Sequence, residues 1–138
     1  MSSDGPVGTR LLTADADPSW LDEVHALLDE LWAAVPTVTP ADRMCFTTAL
    51  AEVAANIVEH AAREASVPVR LVVQSSEVEL RALFEDSGAA YEQAAGGPSD
   101  DLAESGRGLD LARALTDELL YEREGPVNRW LVTRRRTG

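Results

Sequence analysis

Four short stretches of this 138-residue chain carry side chains that could do chemistry. The first has a helical period. At about 100° per residue, Glu52, Asn56, Glu59 and Arg63 fall on one stripe, with His60 at its margin. A solvated helix face has the same pattern, but Asn56 argues for a use. Asparagine inside a helix costs about 0.5 kcal/mol relative to alanine, because its amide competes for backbone hydrogen bonds. A carboxylate base and a neutral oxygen ligand four residues apart suit a magnesium ion that keeps its waters and phosphate oxygens.

The second stretch is Phe84-Glu85-Asp86-Ser87-Gly88, where a strand runs into Asp-Ser-Gly. An ordinary turn aspartate fits it. So does a carboxylate at a strand end that accepts from a ligand amine, with Gly88 allowing close approach. The third is the segment 86–105, a loop without a sustained period, longer than compact domains usually keep without a use. Five of the nine glycines fall between 88 and 108. The fourth is Glu104-Ser105-Gly106-Arg107-Gly108-Leu109. Read as glycines ahead of a helix, it leaves backbone N–H groups free to face an anion at the positive end of the helix dipole. Arg107 is the only positive charge between Arg81 and Arg113. Each stretch alone is unspecific; their order is not.

The elements that must position them are legible from period and punctuation. Residues 1–8 are small and polar and read as frayed, and Thr9 to Asp15 reads as a first strand. Asp17-Pro18 caps a helix over 18–35, whose apolar side is Trp20, Val24, Leu27, Leu28, Leu31, Trp32 and Val35. Thr39-Pro40-Ala41-Asp42 opens a second helix running to about residue 65, with Phe46, Leu50, Val53, Ile57, Val58 and Ala61 inward. Alternation at 67–73 and 78–84 predicts an antiparallel hairpin. A helix over 109–118 and two strands at 119–124 and 128–135, turned at Gly125-Pro126, complete the chain. This order predicts one α+β domain, 1–138, with a mainly antiparallel sheet covered by helices on one face.

Composition removes other chemistries. The chain has no lysine, so a P-loop and lysine Schiff bases are excluded. A single cysteine, Cys45, and two histidines exclude disulfide frameworks and cysteine-rich zinc sites. A net charge of -12 repels nucleic acid and anionic membranes. No apolar run is long enough to span a bilayer and no leader pattern opens the chain, which predicts a cytoplasmic location. Trp20, Trp32 and Trp130 read as core, and Arg134-Arg135-Arg136 as a solvated tail.

Ala49 to His60, then Asp86-Ser87-Gly88, then Gly106 to Arg113, resemble the three nucleotide boxes of the GHKL (Bergerat) ATPases. Within that superfamily the chain resembles the bacterial serine-kinase anti-sigma factors, over about residues 9 to 136. The resemblance implies a two-layer Bergerat fold, Mg·ATP as cofactor and a homodimer. It implies a sigma factor and a small antagonist protein, phosphorylated on serine, as partners. Residue by residue it implies Glu52 as general base and Asn56 as magnesium ligand. It implies Asp86 as acceptor for the adenine amine with Gly88 beside it, and Gly106, Arg107 and Gly108 around the phosphates. His60 and Leu109 join the nucleotide-contacting set, with 89–105 as an ATP lid. An alternative is a non-catalytic ATP-binding module that controls a partner without phosphorylating it; another is an interaction domain that no longer binds nucleotide. Two departures bear on these. Ala90 replaces the second glycine of the usual D-x-G-x-G, and Asn128-Arg129 stands where relatives often have Gly-Thr, which puts the usual threonine contact in doubt. Glu92, Asp100, Asp101 and Glu104 also make the loop acidic.

Overall fold

A computed structural model describes residues 8–62, 64, 67–91 and 103–137, without the side chains of 103–107. The fraying expected of the first residues therefore concerns 1–7, outside the described part; Gly8 already begins a strand. Eight elements follow the predicted order: β1 (Gly8–Asp15), α1 (Pro18–Ala34), α2 (Pro40–Ala61), β2 (Pro68–Ser75), β3 (Glu79–Asp86), α3 (Ala103–Ala114), β4 (Glu118–Glu124) and β5 (Val127–Arg135).

Both helix starts obey their local chemistry. The Asp17 carboxylate accepts from the N–H groups of Ser19 and Trp20 at 3.0 and 3.3 Å, and Thr39 Oγ1 accepts from Asp42 N–H at 3.1 Å. Such caps satisfy donors that the first helical turn leaves without partners. The apolar stripe of α1 is buried as predicted, from Trp20 to Trp32. Helix α2 stops at Ala61, about four residues before the expected end.

The five strands form one antiparallel sheet in the order β1-β2-β3-β5-β4. Strict alternation sends Val69, Leu71, Val73, Leu80, Ala82, Phe84, Trp130 and Val132 into one face, where they meet Trp20, Phe46, Leu50 and Ile57 of the helices. This is the two-layer α+β arrangement expected from the sequence. All three tryptophans are core residues, and Trp20 meets Phe84 edge-on at 6.0 Å. Because β3 sits mid-sheet, its last residue, Asp86, opens directly under the helical layer.

The opposite face of the sheet keeps part of its apolar surface exposed among the described residues. Register aligns Leu11, Val72, Leu83, Leu131 and Leu120 in one row across all five strands, and both end residues, Leu11 and Leu120, are exposed. Among the described residues no helix is long and apolar enough to cross a membrane.

The C-terminal arginines are not a solvated tail. Arg134 Nε binds the buried Asp42 carboxylate at 3.0 Å, and Arg136 Nη1 donates to Ser76 O at 2.7 Å. The aspartate at the start of α2 needs a cation to be buried, and β5 delivers one from 92 residues away.

Candidate functional site

Antiparallel pairing of β3 with β5 places Asn128 across from Asp86. The Asp86 carboxylate is almost fully buried and accepts three hydrogen bonds, all from neutral donors. Its Oδ1 accepts from Gly88 N–H and Asn128 Nδ2, each at 2.9 Å. Its Oδ2 accepts from the Tyr91 hydroxyl at 3.1 Å. The Asn128 amide also donates to the carbonyls of Gly88 (3.1 Å) and Ala89 (2.9 Å). Its Oδ1 in turn accepts from Tyr121 Oη at 2.5 Å and Arg123 Nη1 at 2.9 Å. The residue that looked like a lost contact in the sequence is thus the hub of the pocket. Arg129, its neighbour, points to the other face of the sheet, where Nε meets Glu85 at 2.8 Å.

Gly88 is closely packed. A Cβ there would lie 2.9 Å from Glu64 Oε2 and 3.2 Å from Asp86 Oδ1. Glu64 uses the same oxygen to accept from Ala89 N–H at 3.1 Å. Ala90, at the departure from the glycine pattern, is exposed.

Tyr91 closes this end of the site, and the sequence reading missed it. Its ring stacks on His60 with centroids 3.9 Å apart and meets Trp130 edge-on at 5.2 Å. Its N–H donates to Tyr121 Oη at 3.0 Å. Burial, and then the adjacent Asp86 charge and the hydrogen bond to it, push the phenol pKa well above its ordinary value. Tyr91 is therefore a permanent donor at neutral pH. A signal was present: it is the only aromatic residue between Phe84 and Tyr121. His60 Nε2 lies 2.9 Å from Ala89 O. Since a carbonyl can only accept, Nε2 carries a proton.

Helix α2 links this pocket to a second region. Glu52 and Asn56 are half-buried two turns and one turn before His60, whereas Glu59 is exposed. The working stripe is therefore 52, 56 and 60, rotated from the predicted one; Arg63 lies outside the described residues. Eight residues of helix span about 12 Å, so one edge of α2 joins Asp86 and Tyr91 to whatever meets Glu52. That neighbour is α3. A Cβ on Gly108 would run into Glu52 Oε2, so any larger residue there would have to push the Glu52 carboxylate aside. Neither Glu52 nor Asn56 has a hydrogen-bond or ion-pair partner among the described residues.

The glycine pair differs from expectation. Helix α3 begins at Ala103, so Gly106, Arg107 and Gly108 lie inside it rather than ahead of it. The first four N–H groups of a helix lack internal partners. In α2 the fourth residue, Arg43, already donates to the Thr39 carbonyl at 2.9 Å; Gly106 holds the same position in α3, so Gly106, Arg107 and Gly108 all lie past the free donors. The sequence misled because glycine inside a helix costs only about 1 kcal/mol each, and contact with Glu52 is the reason to keep Gly108. The Leu109 side chain packs into the core, which leaves its backbone alone for any ligand. The Arg107 and Glu104 side chains lie outside the described residues, as do the acidic positions 92, 100 and 101 and most of the expected lid. Among the described residues no three His, Cys, Asp or Glu side chains gather as a metal cage.

A model of the histidine kinase-like ATPase domain matches residues 14–134. Comparison with curated proteins gives no match. Among solved structures, the RsbU and RsbW domains of Rv1364c from Mycobacterium tuberculosis match with a TM-score of 0.67 and 21% identity. That match covers 97% of this chain and 34% of the other. At this identity the likeness is one of fold, and the chain spans only about a third of that protein's length.

Proposed function

Because this chain belongs to the histidine kinase-like ATPase domain family, we propose that it binds Mg·ATP along the edge of α2. We further propose that it acts as an anti-sigma factor that phosphorylates a serine of a small antagonist protein. The observation that carries the reading is the continuity of the α2 stripe. It starts at Glu52 against Gly108 and ends at His60 against Ala89 and Tyr91, beside the Asp86 carboxylate.

The proposed roles follow from position. Asp86, buried and already set to accept, takes the adenine amine, and Gly88 admits the ring edge. The start of α3, one turn before Gly106 and Gly108, faces the phosphates through its free N–H groups. Asn56 offers a neutral oxygen and, like Glu52, has no partner among the described residues, which fits a hard divalent ion that keeps waters and phosphate oxygens. Bound there, magnesium would supply neutralisation of phosphate charge. Glu52 accepts the proton of the attacking serine hydroxyl. The serine oxygen then bonds to the γ-phosphorus as the bond to the β–γ bridging oxygen breaks, leaving ADP. Positioning and charge compensation account for most of such a transfer.

The partner assignment is supported by the anti-sigma resemblance of the three motifs and by the likeness to a structure containing RsbU and RsbW domains. The homodimer is supported by the apolar row from Leu11 to Leu120, whose two ends are exposed. A second copy would cover such a row, and Leu83→Glu, at its centre, should convert the protein to a monomer in sedimentation.

Transfer of labelled γ-phosphate from ATP to the cognate antagonist tests the kinase. Glu52→Ala should abolish transfer while leaving ATP bound. Undiminished transfer defeats the assignment of Glu52, and ATP binding without transfer by the wild type selects the non-catalytic regulatory module.

A further inference from the structure

The purine end of the proposed site is filled by the protein itself. Tyr91 presents a flat ring, stacked at 3.9 Å on His60, and a hydrogen-bond donor aimed at Asp86 Oδ2 at 3.1 Å. A planar ring whose edge donates to that carboxylate is also the chemical description of an adenine base. We propose that Tyr91 is a built-in surrogate for the purine, so that a nucleotide binds only as Tyr91 leaves Asp86. The inference rests on the nucleotide reading above and adds to it the residue that sets base affinity.

Three observations support displacement over a wall role. First, Tyr91 consumes Asp86 Oδ2 while Gly88 N–H and Asn128 Nδ2 hold Oδ1, so the base amine must compete for the same oxygen. Second, Tyr91 takes one face of the His60 ring, which sits on the α2 edge that carries Glu52 and Asn56. Third, the remaining frame does not depend on the phenol. Asn128 is held by Tyr121 and Arg123, and Gly88 and Ala89 are held by Asn128, Glu64 and His60. The frame would therefore survive Tyr91 swinging out and leave an aromatic-lined slot beside Trp130.

A protein whose competent state is a fraction of the population binds more weakly by that fraction. If the open form is about a tenth of the whole, removing the surrogate tightens binding about tenfold. Adenosine, which lacks phosphate and metal, isolates this end of the site. Calorimetric titration of the full chain with adenosine and with Mg·ATP should show Tyr91→Ala about tenfold tighter than wild type for both ligands. Tyr91→Phe, which keeps the ring and loses the donor, should lie between them. In wild type, adenosine should also move the Tyr91 ring resonances out of the shielding of His60 and Trp130. Should Tyr91→Ala not melt cooperatively, Tyr91→Phe decides by the same sign. Wild type that binds while the variants bind equally or more weakly makes Tyr91 a wall of the pocket; that overturns the surrogate and leaves the nucleotide site intact. No binding of either ligand by any of the three proteins defeats the nucleotide reading, and the surrogate with it.

Discussion

Asp42 and Asp86 are both buried carboxylates, and they are buried in opposite ways. Asp42 is fully enclosed and faces a guanidinium: Arg134 Nε lies at 3.0 Å, and Thr137 donates both its N–H (2.8 Å) and its hydroxyl (3.0 Å). Burial alone would raise the Asp42 pKa, but Thr137, Thr39 and Arg134 outweigh it and hold the carboxyl below its ordinary value. Among the described residues Asp86 faces no cation. Arg123 comes close but donates to Asn128 and the Gly88 carbonyl instead, and the three donors on Asp86 are neutral. A compensated buried charge is a clasp, here fixing the C-terminal strand end to the start of α2. A charge satisfied by neutral donors, one of them on a side chain outside any strand or helix, remains open to exchange with a ligand donor.

The comparison can be broken most directly at Asp42. Asp42→Ala leaves Arg134 largely enclosed without its counter-ion, with only the Leu115 carbonyl still accepting from it, and urea unfolding should show a loss of about 3–5 kcal/mol. Adenosine affinity of the folded fraction should stay within about twofold. A loss below about 1 kcal/mol would show that the clasp is ornamental. Asp86→Asn should invert the pattern. Calorimetry should find adenosine affinity down by at least about 100-fold, or about 2.7 kcal/mol, with a smaller stability loss of about 1–2 kcal/mol. If stability falls more than affinity, Asp86 is as structural as Asp42. Asn128→Ala sharpens the contrast further. It strips one donor from Asp86 and the acceptor used by Tyr121 and Arg123, for a loss of about 1–2 kcal/mol in thermal unfolding. No comparable asparagine supports Asp42, so the neutral hub belongs to the site alone.

The smallest effect lies in acid. Because the folded-state pKa of Asp42 is depressed, its stabilisation is complete above the ordinary value of about 3.8. It fades as the pH falls through the depressed value. Asp42→Asn should therefore lose less stability than wild type between about pH 4 and pH 2, read as a shallower acid limb in unfolding midpoints. An acid limb unchanged by the substitution would mean that other carboxylates govern acid unfolding.

Much of the fold was legible because its determinants are local. Caps at Asp17 and Thr39, the apolar stripe of α1, the alternation of β2 and β3, and the Gly125 turn, whose φ of 58° is left-handed, each depend on residues within about four positions. Two of the four chemical stretches were legible for the same reason, the α2 stripe and the strand-end aspartate, while most of the loop lies outside the described residues. What misled was also local: the glycine pair read as a helix start although α3 begins at Ala103, and the three C-terminal arginines read as a tail.

The sequence by itself determined which elements form, which faces are apolar, and that Glu52, Asn56 and His60 share one side of a helix. Only the tertiary structure decided that Asn128 meets Asp86 across 42 residues, that Tyr91 covers His60 and that Arg134 reaches Asp42 across 92. Helical and strand periods repeat within a few residues and can be counted along the chain. A hydrogen bond between distant residues depends on strand order and register, which are set by how the whole core packs and leave no local trace.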